Sequence, residues 1–537
     1  MRRSSADPVE LAIFQSMVHS ISEEMGAALR RTSFSPNIKE RRDYSCAVFD
    51  GQSRVIAMGD HMPVHLGSMP ASVQAAVNAI AMEPGDIVIL NDPYAGGTHL
   101  PDITMVLPVF RGDASHPEFY VATRAHHADV GGRYAGSMGP ATDIYQEGIR
   151  ISPVRLVRRG LLNGELLDLI LNNVRTPHER EGDLVAQIGS CRVGEQRIEE
   201  LMKRYDRERV AELVDALLDY SEALVRAELR TMPAGIFAAE DWLDNDGVTG
   251  EPIRICVQLK LDPVAASIEI DFTGSSRQVV GGVNAVRSIT LSACFYMLRC
   301  LLREDSPATA GILRPLTLHT LEGSIVAAQM PAAVAGGNVE TSQRIVDVLL
   351  RALAKAVPDR IPAASAGTMT NLAVGGMDAR TGSQFTYYET AAGGMGARPG
   401  IAGISGVQTH MTNSLNTPVE ALEYAYPLRV RQYAYRYGSG GKGEFDGGDG
   451  LMRELEFLND AEVTLLADRQ NLRPYGLQGG EEGAAGAAFL SRDAAATFSL
   501  AGKVSLRAAK GDILRLETPG GGGFGKSRRS TTLDQRG

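Results

Sequence analysis

Glycine is the residue that most narrows what this 537-residue chain can fold into. There are 58 of them, well above the roughly 7% usage of an average protein. They gather in clusters, as in Gly96-Gly97, Gly131-Gly132 and Gly520-Gly521-Gly522-Gly523, and through 393–406 and 438–450. No Gly-X-Y repeat joins them. Clusters of this kind belong to tight turns and to places where one backbone approaches another closely, since glycine has no Cβ to obstruct either.

Between the clusters the periodicity of apolar residues changes. Phe14, Met17, Val18, Ile21, Met25 and Leu29 recur at three- and four-residue steps, which predicts an amphipathic helix over 10–31. From Ser45 to Phe110 short apolar runs such as Ile87-Val88-Ile89-Leu90 alternate with turn residues, so strands and loops are expected there. A second helical signal covers 195–230 and stops at Pro233 and Gly235. After the acidic turn stretch 241–247, Ile253, Ile255, Val257, Leu259 and Leu261 alternate, and Ile268, Ile270 and Phe272 resume the pattern, as in a hairpin. Residues 288–302 and 340–357 read as helices, and the last 60 residues return to alternation. At this length a single core is too small a solution. The expected fold is mixed α+β and multi-domain. A β-rich metal-binding N-terminal part with flanking helices (1–238) is followed by a second α/β domain with Gly-rich loops (239–525) and a polar disordered tail (526–537).

Composition removes several functional classes. The net charge is −10 with Lys and Arg dispersed, so no basic face is evident for a phosphate backbone. The five cysteines are widely spaced and odd in number, which suits a reducing cytoplasm. Neither a leader-like apolar segment nor an 18-residue apolar run is found, and a cytoplasmic location is the expectation.

Histidine supplies the chemistry. Of the ten, His19, His61, His65, His99, His116, His126 and His127 lie in the first quarter of the chain. Gly96-Gly97-Thr98-His99-Leu100-Pro101-Asp102 and His126-His127-Ala128-Asp129 pair imidazole with carboxylate beside double glycines, and Arg42-Asp43-Tyr44 stands upstream. Such a donor set suits Zn²⁺, Mn²⁺ or Fe²⁺. Any one of these histidines could be a structural residue bonded to a nearby carboxylate, but the constellation is hard to explain by packing alone. Pro101 argues against a helix carrying His99 and Asp102, so a turn after a strand is expected, with the second cluster arriving from a neighbouring strand. His61 and His65 are further candidates for lining the site, and His116 lies in a polar loop expected to be exposed.

Other chemistries fail on their motifs. Gly438-Ser439-Gly440-Gly441-Lys442-Gly443 lacks the upstream glycine of a phosphate loop, and Gly443 replaces its Ser or Thr. Gly520-Gly521-Gly522-Gly523-Phe524-Gly525 leads into a polar tail and not a helix, so it is no dinucleotide fingerprint. No G-x-S-x-G elbow is present, and Cys46, in Cys46-Ala47-Val48-Phe49, reads as a buried strand residue.

The segment from Asn91-Asp92-Pro93-Tyr94 through His99-Leu100-Pro101-Asp102 closely resembles the signature of the hydantoinase B family. Arg42-Asp43-Tyr44-Ser45-Cys46-Ala47, His65-Leu66-Gly67-Ser68-Met69, His126-His127-Ala128-Asp129-Val130-Gly131-Gly132, Asp271-Phe272-Thr273-Gly274-Ser275-Ser276 and Thr518-Pro519 with its following glycines resemble other family motifs, in family order. Arg277 and Val286 depart from the pattern, where proline is usual. The resemblance implies the metal-bearing subunit of an ATP-dependent cyclic amidohydrolase of 5-oxoprolinase or N-methylhydantoinase type, a hetero-oligomer with a hydantoinase A-type partner. The partner binds ATP and phosphorylates the ring carbonyl. It further implies a divalent metal on His99, Asp102 and His126, with Asp43 as a fourth ligand and His127 or Asp129 moving the proton. A ketone carboxylase of acetone or acetophenone type, and a non-catalytic structural subunit, are the alternatives.

Overall fold

The computed structural model of the chain describes residues 7–59, 61–112, 114–302, 306–492 and 496–527. Of the expected polar tail, 528–537 lie outside the described residues. The N-terminal part is built on a seven-stranded antiparallel sheet of order β2-β1-β5-β4-β3-β6-β7. Its strands are β1 (Tyr44–Asp50), β2 (Val55–Met58), β3 (Ile87–Leu90), β4 (Asp102–Val109), β5 (Phe119–His126), β6 (Val154–Arg158) and β7 (Leu161–Leu162). The inner strands are buried on both faces, because helices cover each side. The opening helix, α1 (Pro8–Thr32), follows the predicted stripe: Asp7 caps it, and Phe14, Val18, Ile21, Met25 and Leu29 are buried. A single turn, α2 (Pro36–Lys39), leads from it into β1.

Two local expectations need correction. The stretch expected to be strands and loops contains a helix, α3 (His65–Ala79), on the face of the sheet opposite α1. Gly67 and Pro70 had obscured it; Gly67 is required there because a Cβ would lie 2.7 Å from the backbone nitrogen of Ser292. After α4 (Gly164–Leu171), the helical signal at 195–230 is two helices, α5 (Pro177–Arg204) and α6 (Arg207–Leu229), with Asp206 capping the second through Arg209 N. The first half of α5 buries Arg180, Asp183, Gln187 and Ser190, so it carries no apolar period to read.

The hairpin of Ile253–Asp262 and Ser267–Asp271 is present as expected, flanked by Gly235–Leu243 and Leu316–His319 in a four-stranded sheet. The 238/239 boundary falls inside the strand Gly235–Leu243. Helices α7 (Arg287–Leu301) and α8 (Ser342–Ala356) correspond to the two later helical signals, and α8 packs on this sheet. One continuous body of buried apolar side chains runs from Phe14 to Met411 and Leu466. A second, smaller one lies between two further sheets near the C-terminus, with Val374, Tyr387 and Val463 on one side and Leu455, Leu490 and Leu514 on the other.

The glycine clusters account for themselves beside that second core. Gly520 to Gly523 thread between segments from 363–366, 394–397, 439–448 and 475–484, bonding them through the main chain: Gly521 N to Gly448 O, Gly522 N to Ala364 O, Gly523 N to Glu481 O, and Ala397 N to Gly522 O. A Cβ on Gly521 would lie 2.1 Å from Met395 O, one on Gly447 2.0 Å from Gly521 O, and one on Gly394 1.9 Å from Gly448 O. Backbones stacked this closely admit only glycine. Gly440 and Gly441, from the rejected phosphate-loop motif, belong to this layer.

Candidate metal centre

Antiparallel pairing assembles the site. Asp102, the first residue of β4, is directly opposite His126, the last of β5, and His126 N donates to Asp43 O just before β1. Residues opposite one another share a face of the sheet, so Asp43, His126 and Asp102 all lie toward α3. His99 reaches the same place from the β3–β4 turn, where Asp102 N donates to His99 O. The double glycine makes that turn possible: Gly96 has φ +87°, and a Cβ on Gly97 would lie 2.7 Å from Asp92 O. Ser288 of α7 fixes the loop by donating to Gly97 O.

Asp102 is the hub. Its Oδ1 lies 3.2 Å from His99 Nε2 and 3.5 Å from His126 Nδ1. On its other oxygen, Oδ2, Thr98 Oγ1 donates a short hydrogen bond and His65 Nε2 lies at 3.4 Å. Ser45 Oγ is 2.8 Å from the remaining nitrogen of His65, which orients that ring. All four side chains are buried. Among the described residues, His99, Asp102 and His126 form a group able to hold a metal ion, with one donor atom from each within 4.8 Å of the others.

The donor set fits a divalent cation. Buried polar atoms are normally paired, yet the far nitrogens His99 Nδ1 and His126 Nε2 have no hydrogen-bond partner, so no partner there fixes the tautomer and His99 Nε2 and His126 Nδ1 can both present lone pairs beside Asp102 Oδ1. Burial alone would raise the Asp102 carboxyl, but the positive charge that His99 and His65 can carry holds it well below the usual carboxylate range. Burial lowers His65 and His126 from their ordinary value. When a cation binds it takes the place of those imidazole protons, and the ionised carboxylate and the ring nitrogens become its ligands. Arg124, buried behind the cluster on Thr104, Ser68 and Ser72, keeps its charge although burial lowers it to about 10.

The other candidates are placed as follows. Asp43 stays beside the cluster, with Oδ2 3.7 Å from Arg41. His127 points to the opposite face, because successive strand residues alternate; its Nε2 meets Gln187 Oε1 of α5 at 2.9 Å, and burial lowers it to about 4. Asp129 is held by Arg175, through Nη1 at 2.8 Å and the backbone nitrogen at 2.8 Å. His61 lies apart from the cluster, against the Tyr44 ring and 3.8 Å from Glu23. His116 is exposed, and Cys46 is buried in β1, where burial pushes its thiol up.

Two residues near the cluster had not been singled out. The Tyr388 ring stacks on His126 at 4.5 Å, and Asn338 Nδ2 lies 3.1 Å from His99 Nε2. A sequence signal existed for the second: Gly336-Gly337 precede Asn338 much as Gly96-Gly97 precede His99.

A buried His-Asp-His group on an antiparallel sheet, closed by residues from 338 and 388, makes this an α+β protein with a candidate metal site. The hydantoinase B/oxoprolinase family model matches residues 7–527, and the chain belongs to that family. An uncharacterised protein of Methanocaldococcus jannaschii is 41% identical over 97% of this chain and 91% of its own length. A 5-oxoprolinase of Dictyostelium discoideum is 37% identical over 97% of this chain, but the match spans only 40% of that longer protein. Among solved structures, ATP-dependent caprolactamase from Pseudomonas jessenii superposes with a TM-score of 0.91 at 28% identity, covering 97% of this chain and 92% of the other. Acetone carboxylase, at 16% identity and a TM-score of 0.90 over 97% of this chain and 76% of its own, shares the fold. No described helix is long and apolar enough to cross a membrane.

Proposed function

We propose that this chain is the metal-bearing subunit of an ATP-dependent cyclic amide hydrolase, acting on a lactam or hydantoin ring after a hydantoinase A-type partner has phosphorylated its carbonyl oxygen. The observation that carries the proposal is the buried His99–Asp102–His126 cluster, in a chain whose one phosphate-loop candidate lies in the glycine layer. The named activities of its relatives, 5-oxoprolinase and caprolactamase, support the substrate class. The 5-oxoprolinase extends well beyond the matched region, which leaves room in that protein for an ATP-handling part.

Amide resonance makes a lactam carbonyl a poor electrophile, and phosphorylation of its oxygen relieves that. A Zn²⁺, Mn²⁺ or Fe²⁺ ion held by His99, Asp102 and His126 would supply a water of lowered pKa and stabilise negative charge on oxygen. The protein's part is to exclude bulk solvent, keep Asp102 ionised and held by Thr98, and fix the imidazoles of His65 and His126 through Ser45 and Tyr388. Asp43 would become a fourth ligand by moving away from Arg41. To move a proton at the centre, His127 would have to leave Gln187 on the opposite face of β5 and turn inward, and Asp129 would have to leave Arg175.

The test is ATP turnover and ring opening by the chain co-purified with its partner on 5-oxoproline, hydantoin and acetone, with and without bicarbonate. Ring opening independent of bicarbonate is the expected result. Bicarbonate-dependent consumption of acetone would replace the reading with a ketone carboxylase, and no turnover of any substrate would favour a structural subunit.

A further inference from the structure

The centre's ligands come from the first 130 residues, but one group facing it does not. Asn338 is 4% exposed, and its Nδ2 points at His99 Nε2, the nitrogen that also faces Asp102 Oδ1. Its Oδ1 is buried with no partner. A buried amide oxygen left unpaired destabilises the fold, and a leucine of similar volume would avoid that cost.

The backbone around Asn338 is specialised to hold it there. Gly337–Thr341 form a single π-helical turn at the head of α8, a distortion that often accompanies functional sites. Gly336 N and Gly337 N both donate to Gly282 O, and a Cβ on Gly337 would lie 1.8 Å from Asn284 O. Ser342 Oγ donates to Asn338 O. Glu340, on the same turn, accepts from Met369 N and Asn371 Nδ2, while Asn371 accepts from the hydroxyl of Tyr388, whose ring lies on His126. The turn is thus braced against the cluster from both sides.

We infer that Asn338 is the substrate-positioning residue of this centre and that it selects cyclic amides carrying a ring N–H. The inference rests on the proposed function. When His99 Nε2 gives its lone pair to a cation, Asn338 Nδ2–H loses that acceptor, and both ends of the amide are then without a partner. A lactam of ordinary ring size is locked cis, so its nitrogen and its oxygen lie on one edge, and once the oxygen is phosphorylated the nitrogen of an N–H lactam carries hydrogen in the protonated, electrophilic form. The side-chain amide of Asn338 offers the matching edge, with Oδ1 accepting from that N–H and Nδ2–H donating to the phosphorylated oxygen on the reacting carbon. A ketone or an N-alkylated lactam would leave Oδ1 buried and unpaired, and sites of this kind discriminate strongly against a missing donor.

The test uses the chain with its partner subunit and the variants Asn338→Leu and Asn338→Ala. Metal content, melting temperature and kcat/KM on 5-oxoproline, 2-pyrrolidone and N-methyl-2-pyrrolidone are measured. The Co²⁺-loaded chain alone is also titrated with 2-pyrrolidone while its visible bands are followed. Wild type should prefer the N–H lactams. Asn338→Leu should keep its metal, melt no lower than wild type, lose about 100-fold or more on the N–H lactams, and show no lactam-induced band shift. Unchanged activity and preference in both variants would overturn the assignment. Loss of metal in either would instead make Asn338 a ligand, and a lowered melting temperature in Asn338→Leu would make it structural. Failure of the wild-type pair to open any lactam removes the proposed function, and this inference with it.

Discussion

Two buried polar clusters in this molecule handle charge in opposite ways. Around α8, Arg344 bonds Asp241 at 3.1 Å and Asp468 at 2.9 Å, Arg469 bonds Asp241 at 2.6 Å and Asp347 at 2.8 Å, and Lys503 reaches Asp468 at 2.7 Å. Three cations interlock with three carboxylates and join the strand at Asp241 to the loop at Asp468. At the His99–Asp102–His126 centre a single carboxylate serves three imidazoles, burial lowers His65 and His126, and imidazole nitrogens remain unpaired. Both clusters keep buried atoms without a hydrogen-bond partner, Arg344 Nε, Asp347 Oδ1 and Arg469 Nε in the first, His99 Nδ1 and His126 Nε2 in the second. What separates them is charge: the first supplies a cation of its own for every carboxylate, whereas the second sets one carboxylate among imidazoles, whose lone pairs can ligate an ion.

Mutation should separate the two. Asp102→Asn is expected to have the largest effect on function: metal affinity should fall by more than the roughly 100-fold typical of losing an outer-shell partner, and ring opening should disappear with it. The melting temperature of the metal-free protein should change little, as elemental analysis and thermal unfolding would show. Arg344→Met should do the reverse, leaving Asp241 and Asp468 short of a buried counter-charge and costing about 3–5 kcal/mol of stability in urea unfolding. An Asp102→Asn variant that lost as much stability as metal, or an Arg344→Met variant that lost metal and kept its stability, would break the contrast.

A third buried acid sharpens it. Glu147 has no cation beside it and accepts from Val334 N and Ala335 N, and burial pushes its carboxyl up to about 8. Its folded-state pKa therefore lies above the unfolded value of 4.5, so the proton it holds stabilises the fold fully below about pH 4.5. That contribution is lost as pH rises toward 8. Glu147→Gln, which mimics the protonated form, should match wild type in melting temperature at pH 5 and exceed it at pH 8.5; parallel curves across that range would contradict the assignment.

Much of this could be read from residues alone. The His99 turn was legible because Pro101 excludes a helix and Gly96-Gly97 permit the bend, and the approach of His126 on a neighbouring strand followed from its own motif. What one strand's sequence could not reveal was the face. His126 and His127 are adjacent in the chain but lie on opposite sides of β5, and only the burial of Gln187 and Asp183 on α5 shows which side receives which. Asn338 and Tyr388 were hidden for another reason: they reach the centre across more than 200 residues of chain, where no local spacing can signal contact. The charged face of α5 concealed half of that helix because apolar periodicity cannot register a buried Arg180 or Gln187.

The glycine layer bears on the order in which the molecule can be completed during synthesis. The segments at 363–366, 394–397, 439–448 and 475–484 bond one another in part, but Ala397 N, Gly441 N and Leu477 N donate to Gly522, Gly521 and Gly523, and Ala364, Gly448 and Glu481 accept from that run. A nascent chain that stops short of it leaves those six groups without these partners. The run is the last part of the layer to be synthesised, after the strands that carry His99, Asp102 and His126 have emerged and been able to pair. A chain ending before Gly520 would keep those three residues and still lack the piece that ties the glycine segments together.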